Sequence, residues 1–170
     1  MRYVLYVLLL LACGSSARDE GALIAAARNG DAVRVTQLVR QGADPNQRAG
    51  VNGWPALLHA VHKHQLGSAA ALLAAGADPN RGYPRGYTPL MMAAGYGHTD
   101  TVKLLLAHGA NARATDDRGD TALDYARDGV NDVDGFTLFR CQDNVARALL
   151  AADPSQPNGR SWWAKVKRCA

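Results

Sequence analysis

Aromatic side chains are scarce in this chain: 2 Phe, 3 Trp and 6 Tyr stand against 31 Ala, 17 Gly and 20 Leu in 170 residues. An interior made of such small side chains relies on close backbone approach, which favours packed helices over an aromatic-rich β-sandwich. There is no Cys-x-x-Cys pair, no Gly-x-Ser-x-Gly elbow and no phosphate-cradling Gly-rich loop with a Lys, which removes the commonest signatures of redox, hydrolytic and nucleotide chemistry. Neither sign of charge dominates, since 19 Lys and Arg face 15 Asp and Glu for a net +4 and a pI near 9.1. That excess helps an acidic partner approach but is too weak to imply nucleic acid. What is present, 48% hydrophobic and 20% charged residues, suffices for one domain with a sizeable core and argues against disorder.

No apolar run is long enough to span a bilayer of about 20 helical residues. The longest follows Arg2, from Tyr3 to Ala12, and ends at Cys13-Gly-Ser-Ser. A basic residue, a short apolar stretch and small residues after it read as a signal peptide over residues 1–12. Leu10-Leu11-Ala12-Cys13 resembles the bacterial lipobox, with Leu11 departing from the usual small residue. The resemblance implies acylation of Cys13, a lipidated linker over 13–18 and, with Gly14 after the Cys, outer-membrane sorting on the periplasmic face of the envelope; the alternative is a soluble periplasmic or secreted protein. Export leaves two thiols, Cys141 and Cys169, in an oxidising compartment. One disulfide between them closes a loop of 27 residues, and a loop of that size stabilises by roughly 3 kcal/mol in the chain-entropy picture. The other possibility is two thiols that never meet.

A period of 33 residues organises the rest. Gly53, Gly86 and Gly119 are spaced by 33 and 33, and Gly42, Gly76 and Gly109 by 34 and 33. Gly53-Trp-Pro-Ala-Leu-Leu-His-Ala-Val, Gly86-Tyr-Thr-Pro-Leu-Met-Met-Ala-Ala and Gly119-Asp-Thr-Ala-Leu-Asp-Tyr-Ala-Arg begin three units. Their second halves agree as well: Leu38-Val39 precedes Gly42-Ala-Asp-Pro-Asn46, Leu72-Leu73 precedes Gly76-Ala-Asp-Pro-Asn80, and Leu105-Leu106 precedes Gly109-Ala-Asn-Ala. Within a unit, Thr88 offers an N-cap with Pro89 at the first helical position. Leu90, Ala93 and Ala94 form an apolar face, Gly95-Tyr-Gly97 breaks the helix, and Thr99 or Asp100 caps a second one. Val102, Leu105 and Leu106 stripe that second helix until Gly109 ends it. Such a unit cannot bury its apolar face alone, so neighbours must stack.

The pattern resembles the ankyrin repeat family. The resemblance implies an all-α solenoid of about four helix-turn-helix repeats with finger loops over residues 19–153, divided near 19–52, 53–85, 86–118 and 119–153. Leu149-Leu150 lies 44 positions after Leu105-Leu106, which places an insertion near 128–143. Residues 154–170, with Trp162, Trp163, Lys165, Lys167 and Arg168, form a C-terminal tail that caps the last repeat or, as its rival, contacts a membrane surface. The His usual after Thr-Pro-Leu is replaced by Ile24, Leu58, Met91 and Asp124, which removes a tie between neighbouring loops.

In ankyrin proteins the fingers and the ends of the first helices form a concave binding surface. Carried over by position, that surface includes Trp54, Tyr83, Arg85, Tyr87, His62, Lys63, Tyr96, Arg118 and Asp120. Large amphipathic rings beside Arg and Lys are typical of binding hot spots; the plainer reading is that Trp54 and Tyr87 only pack on the next finger. The expectation is a non-catalytic, monomeric protein-protein interaction module tethered in the bacterial envelope, not an enzyme, without cofactor or metal, and with an unidentified, acidic protein partner. Its alternatives are an immunity or inhibitor protein for a toxic enzyme, a periplasmic structural or chaperone-like factor, and a metal-binding or hydrolytic protein centred on His59, His62 and His64.

Overall fold

A computed structural model describes residues 16–49, 53–128 and 143–155. Cys13, Cys141, Cys169, most of the expected insertion and the tail beyond Ser155 lie outside the described residues. The described chain forms helices α1 (Ser16–Asn29), α2 (Ala32–Arg40), α3 (Ala56–His62), α4 (Leu66–Ala74), α5 (Pro89–Gly95), α6 (Thr99–Ala107), α7 (Ala122–Asp128) and α8 (Asp143–Ala152). Strands are reduced to β1 (Arg48–Ala49) and β2 (Trp54–Pro55), an antiparallel pair with Arg48 opposite Pro55 and Ala49 opposite Trp54. The expected all-α architecture is what the helices build. Among the described residues, no helix is long and apolar enough to cross a membrane.

The chain divides into two compact units, one ending at Ala77 and the other beginning at Asp78. In the first, α1 packs on α2 and α3, while α4 packs on α2 and α3. In the second, α5 packs on α6 and α7, and α8 packs on α6 and α7. A first helix therefore meets neighbours on several sides. In α5 every residue from Pro89 to Gly95 is buried, so Met91 and Met92 join the expected Leu90, Ala93 and Ala94 in the core. Second helices keep one wet face: α6 buries Thr101, Val102 and Leu105 and exposes Asp100 and Lys103. Fully burying one such Leu contributes roughly 1.5–3 kcal/mol.

Helix ends follow from local chemistry. The Thr88 hydroxyl accepts from the Met91 N–H at 3.2 Å, and the Met91 sulfur lies 3.4 Å from the Thr88 N–H. In the next repeat the Asp124 carboxylate takes the same place, accepting from the Thr121 N–H at 2.9 Å and the Thr121 hydroxyl at 2.7 Å. Met91 and Asp124, at the positions where the resemblance would place a His, thus close the local cap by their own acceptors. The start of α6 differs from expectation. His98 occupies the N-cap with no side-chain cap bond; its backbone N–H donates to the Ala93 carbonyl at 2.9 Å, and Thr99 and Asp100 already lie in the first turn. At the other end Gly109, at φ +85°, donates to Leu106 and lets the Ala110 N–H reach the Leu105 carbonyl at 3.0 Å. That left-handed closure favours glycine because a Cβ is disfavoured there.

After α2, α4 and α6 an Asp-x-Asn or Asn-x-Arg turn points the chain into the next finger. Asp44 and Asp78 accept from the N–H of Asn46 and Asn80, each at 2.8 Å. The two Asn side chains donate to the carbonyls of Gly76 and Gly109 at 2.9 and 3.1 Å, one repeat further on. Asn80 also accepts from the Asn111 N–H at 2.7 Å.

Candidate docking surfaces

In the first unit, a cluster forms around Trp54. The ring sits in β2, immediately before α3, where the paired finger strands fix its backbone. His59 and His62, three residues apart, share the face of α3 that meets it. Their rings lie 5.2 and 5.4 Å from Trp54, tilted by 48° and 76°. Arg28 is in the last turn of α1 and Lys63 caps α3; both are exposed and both stand at helix C-termini, where a cation is favoured. His59 is half-buried. Loss of hydration, then the positive charges of Arg28, His62 and Lys63, hold its imidazole below the ordinary histidine range. The expected residues Trp54, His62 and Lys63 are therefore neighbours, and His59 joins them.

The metal reading of His59, His62 and His64 does not match this geometry. His59 and His62 face Trp54, whereas His64 lies past the helix end at φ 55°. Among the described residues, no three or more His, Cys, Asp or Glu side chains are grouped so that they could hold a metal ion.

In the second unit the fingers are held by ions and rings. The Tyr83 N–H donates to the Tyr87 carbonyl at 2.8 Å and so closes the first finger. Arg85, itself at φ 77°, donates from Nε to Asp117 at 2.8 Å and accepts the Asp117 N–H at 2.9 Å, which joins that finger to the next. Asp116 is the anchor of the second finger. It is buried; one carboxylate oxygen accepts the N–H groups of Arg118 and Asp120 at 2.9 Å, and the other accepts the Tyr125 hydroxyl at 2.9 Å and Arg118 Nε at 3.1 Å. Burial would raise its pKa, but these hydrogen bonds, from the Asp120 N–H, the Tyr125 hydroxyl and Arg118, hold it below the usual carboxylate range. Arg118 also approaches Asp120 at 3.3 Å and stands 5.6 Å over the Tyr125 ring.

Tyr87 meets Tyr125 edge to face at 5.0 Å and is largely covered; burial, then the neighbouring Tyr125 and Tyr96, push its phenol far above the usual range. Tyr87 thus spends most of its surface on packing. Tyr83 remains exposed, and Tyr96 stacks on His98 at 5.6 Å. Of the expected residues, Tyr87, Arg118 and Asp120 lie around one carboxylate, and Arg85 and Tyr83 flank it on the adjoining finger. Asp116 and Tyr125 were not among the expected residues. Their signal was an Asp three positions before the anchoring Gly119, where a carboxylate can accept from the N–H two residues on, and a Tyr in the following helix.

Rings beside fixed cations, with backbone positions locked by side-chain acceptors, suit recognition of another polypeptide. Family models described as ankyrin repeats match the chain, one of three copies over residues 4–83 and one of many copies over residues 72–126. A putative ankyrin repeat-containing protein of Treponema pallidum (strain Nichols) is 35% identical over 111 residues, 65% of this chain and 37% of that protein. An ankyrin repeat-containing protein of Schizosaccharomyces pombe is 32% identical over 93 residues, 51% of this chain and 43% of its own length. The mouse 2-5A-dependent ribonuclease is 41% identical over 75 residues, 44% of this chain but 10% of that protein. This chain spans less than half the length of each of these relatives.

Proposed function

Because the chain is an ankyrin-repeat protein, we propose that it is a non-catalytic docking module, held at the bacterial cell envelope by a lipid on Cys13, that binds an acidic protein partner through its finger loops and first-helix ends. Ankyrin repeats are generally protein-protein interaction modules and generally carry no catalysis. The observation that carries the reading is the buried Asp116. By tying Arg118, Asp120 and Tyr125 into one network, it holds the finger and the part-exposed Arg118 guanidinium, itself paired with Asp116 and Asp120, in a geometry that needs little further ordering when a partner arrives. Pre-ordering of that kind lowers the entropic cost of association.

The deciding experiment is crosslinking in intact cells with a photoreactive residue at position 83, followed by repetition in a Trp54→Ala/Tyr87→Ala variant. One specific protein adduct that is lost in a variant whose melting curve shows it folded supports the reading; no adduct, or an equal adduct in the folded variant, overturns the placement. The envelope tether has its own test. The lipobox-like run supports it, although the match to ankyrin repeats reaches back to residue 4. Acyl labelling that disappears on Cys13→Ser is the expected result, and unchanged labelling refutes it. A bridge between Cys141 and Cys169 predicts that the exported protein gains two titratable thiols on reduction.

A further inference from the structure

The Trp54 cluster has a charge pattern that packing alone does not call for. Trp54 brings two imidazoles against one indole, and Arg28 and Lys63 add two guanidinium or ammonium groups from adjacent helix ends. The charges that act on His59 are all positive, from Arg28 on α1 and from His62 and Lys63 at the end of α3 itself; α4, which also packs on α3, has no ionisable side chain. The cations of Arg28 and Lys63 oppose protonation of the half-buried His59, which meets the same indole as His62, and one anion placed among these groups reverses that opposition. Charge-assisted hydrogen bonds from such groups to a carboxylate are stronger than neutral ones.

We propose that Trp54, His59, His62, Arg28 and Lys63 form a proton-linked seat for an aspartate or glutamate side chain of an acidic segment in the protein partner. The inference rests on the docking reading above and assigns it a specific surface and chemistry. An incoming carboxylate accepts from Arg28, Lys63 and the imidazoles, while the indole supports the methylene stem of the acidic side chain. Its negative charge reverses the field at His59. The His59 imidazole, disfavoured as a cation in the unoccupied protein, then takes a proton from solvent as the carboxylate binds, so the complex tightens as pH falls through the histidine range. The carboxylate stays ionised throughout that range, since its own titration lies near pH 4.

The test uses the full-length chain and a fluorescein-labelled hexaglutamate peptide, with hexaglutamine as control, at about pH 6 and about pH 8, bracketing the imidazole titration. Hexaglutamate binding several-fold tighter at the lower pH, with movement of the Trp54 indole and the His59 and His62 imidazole resonances, is the expected result. Arg28→Gln/Lys63→Gln, at two exposed positions, should weaken binding by about tenfold, the scale of two lost charge contacts. His59→Gln/His62→Gln should erase the pH dependence. Melting curves for each variant establish that it is folded. Resonance shifts confined to the fingers around Arg118, or pH dependence kept in His59→Gln/His62→Gln, overturn the seat. If the cellular adduct forms equally with Arg28→Gln/Lys63→Gln, the seat is wrong and the docking reading stands; if no adduct forms with the unaltered chain, the docking reading fails whatever the peptide does.

Discussion

His59 and Asp116 are opposite cases of an ionisable group in a repeat protein. His59 is kept neutral by burial and by surrounding cations. In the unfolded chain its pKa returns to about 6.5, so below that pH the unfolded state binds more protons than the folded one. Stability is therefore complete above about pH 6.5, falls as pH drops beneath it, and levels off only below the depressed folded value. Thermal melts between about pH 7.5 and 5.5, a range set by the histidine titration, should show a falling midpoint. His59→Gln should flatten that slope. Asp116 differs in charge and not in the direction of its pH dependence: it is kept ionised by four donors. Its contribution is present at neutral pH and is lost as acid takes the folded chain through its lowered pKa. Asp116→Asn keeps the shape but loses the charge and turns one acceptor into a donor facing Tyr125 or Arg118. The cost should be about 2–3 kcal/mol, read as a lower urea midpoint.

The turn between first and second helix shows how one element tolerates unequal residues. Gly30, His64 and Gly97 occupy equivalent places and all have positive φ, at 83°, 55° and 76°. Glycine reaches that region without strain, whereas histidine carries a Cβ that is disfavoured there. His64→Gly should therefore stabilise the folded chain by up to about 1 kcal/mol, the backbone relief outweighing the glycine's greater freedom in the unfolded chain, read as a higher urea midpoint. An unchanged or lower midpoint would show that the contacts of the His64 side chain outweigh the backbone relief. The caps of the first helices vary in the same way. Thr88 and Thr121 each have an acceptor three residues on, from sulfur and from carboxylate, while Pro55 before α3 makes no side-chain cap bond.

Coupling along the molecule depends on bonds that cross from one repeat to the next. Asn80 makes two of them, donating to the Gly109 carbonyl and accepting from the Asn111 N–H. Repeat proteins are stabilised by the sum of such interfaces and of the units themselves. Asn80→Ala should lower stability by about 1–3 kcal/mol. It should also broaden the urea transition as repeats begin to unfold separately, with a smaller m-value as the observable sign. A sharp transition displaced to lower urea would mean that the apolar contacts alone hold the repeats together cooperatively.

The sequence by itself determined the repeat. Glycines at a fixed interval, Leu pairs before them and the Thr88-Pro89 helix start are local requirements of backbone conformation and burial, and meeting them at that register favours paired helices that stack. The extent of burial in α5, the start of α6 at His98 and the partners of Asp116 came only from the tertiary structure. Each depends on which group arrives from another element, and periodicity holds no information about a distance between side chains. The same holds for the two surfaces: Trp54, His62 and Lys63 were visible as amphipathic and basic positions, but that His59 completes one cluster and Tyr125 another is set by packing across helices. So is the covering of Tyr87, whose ring looks equally available in the sequence until Tyr125 is found against it.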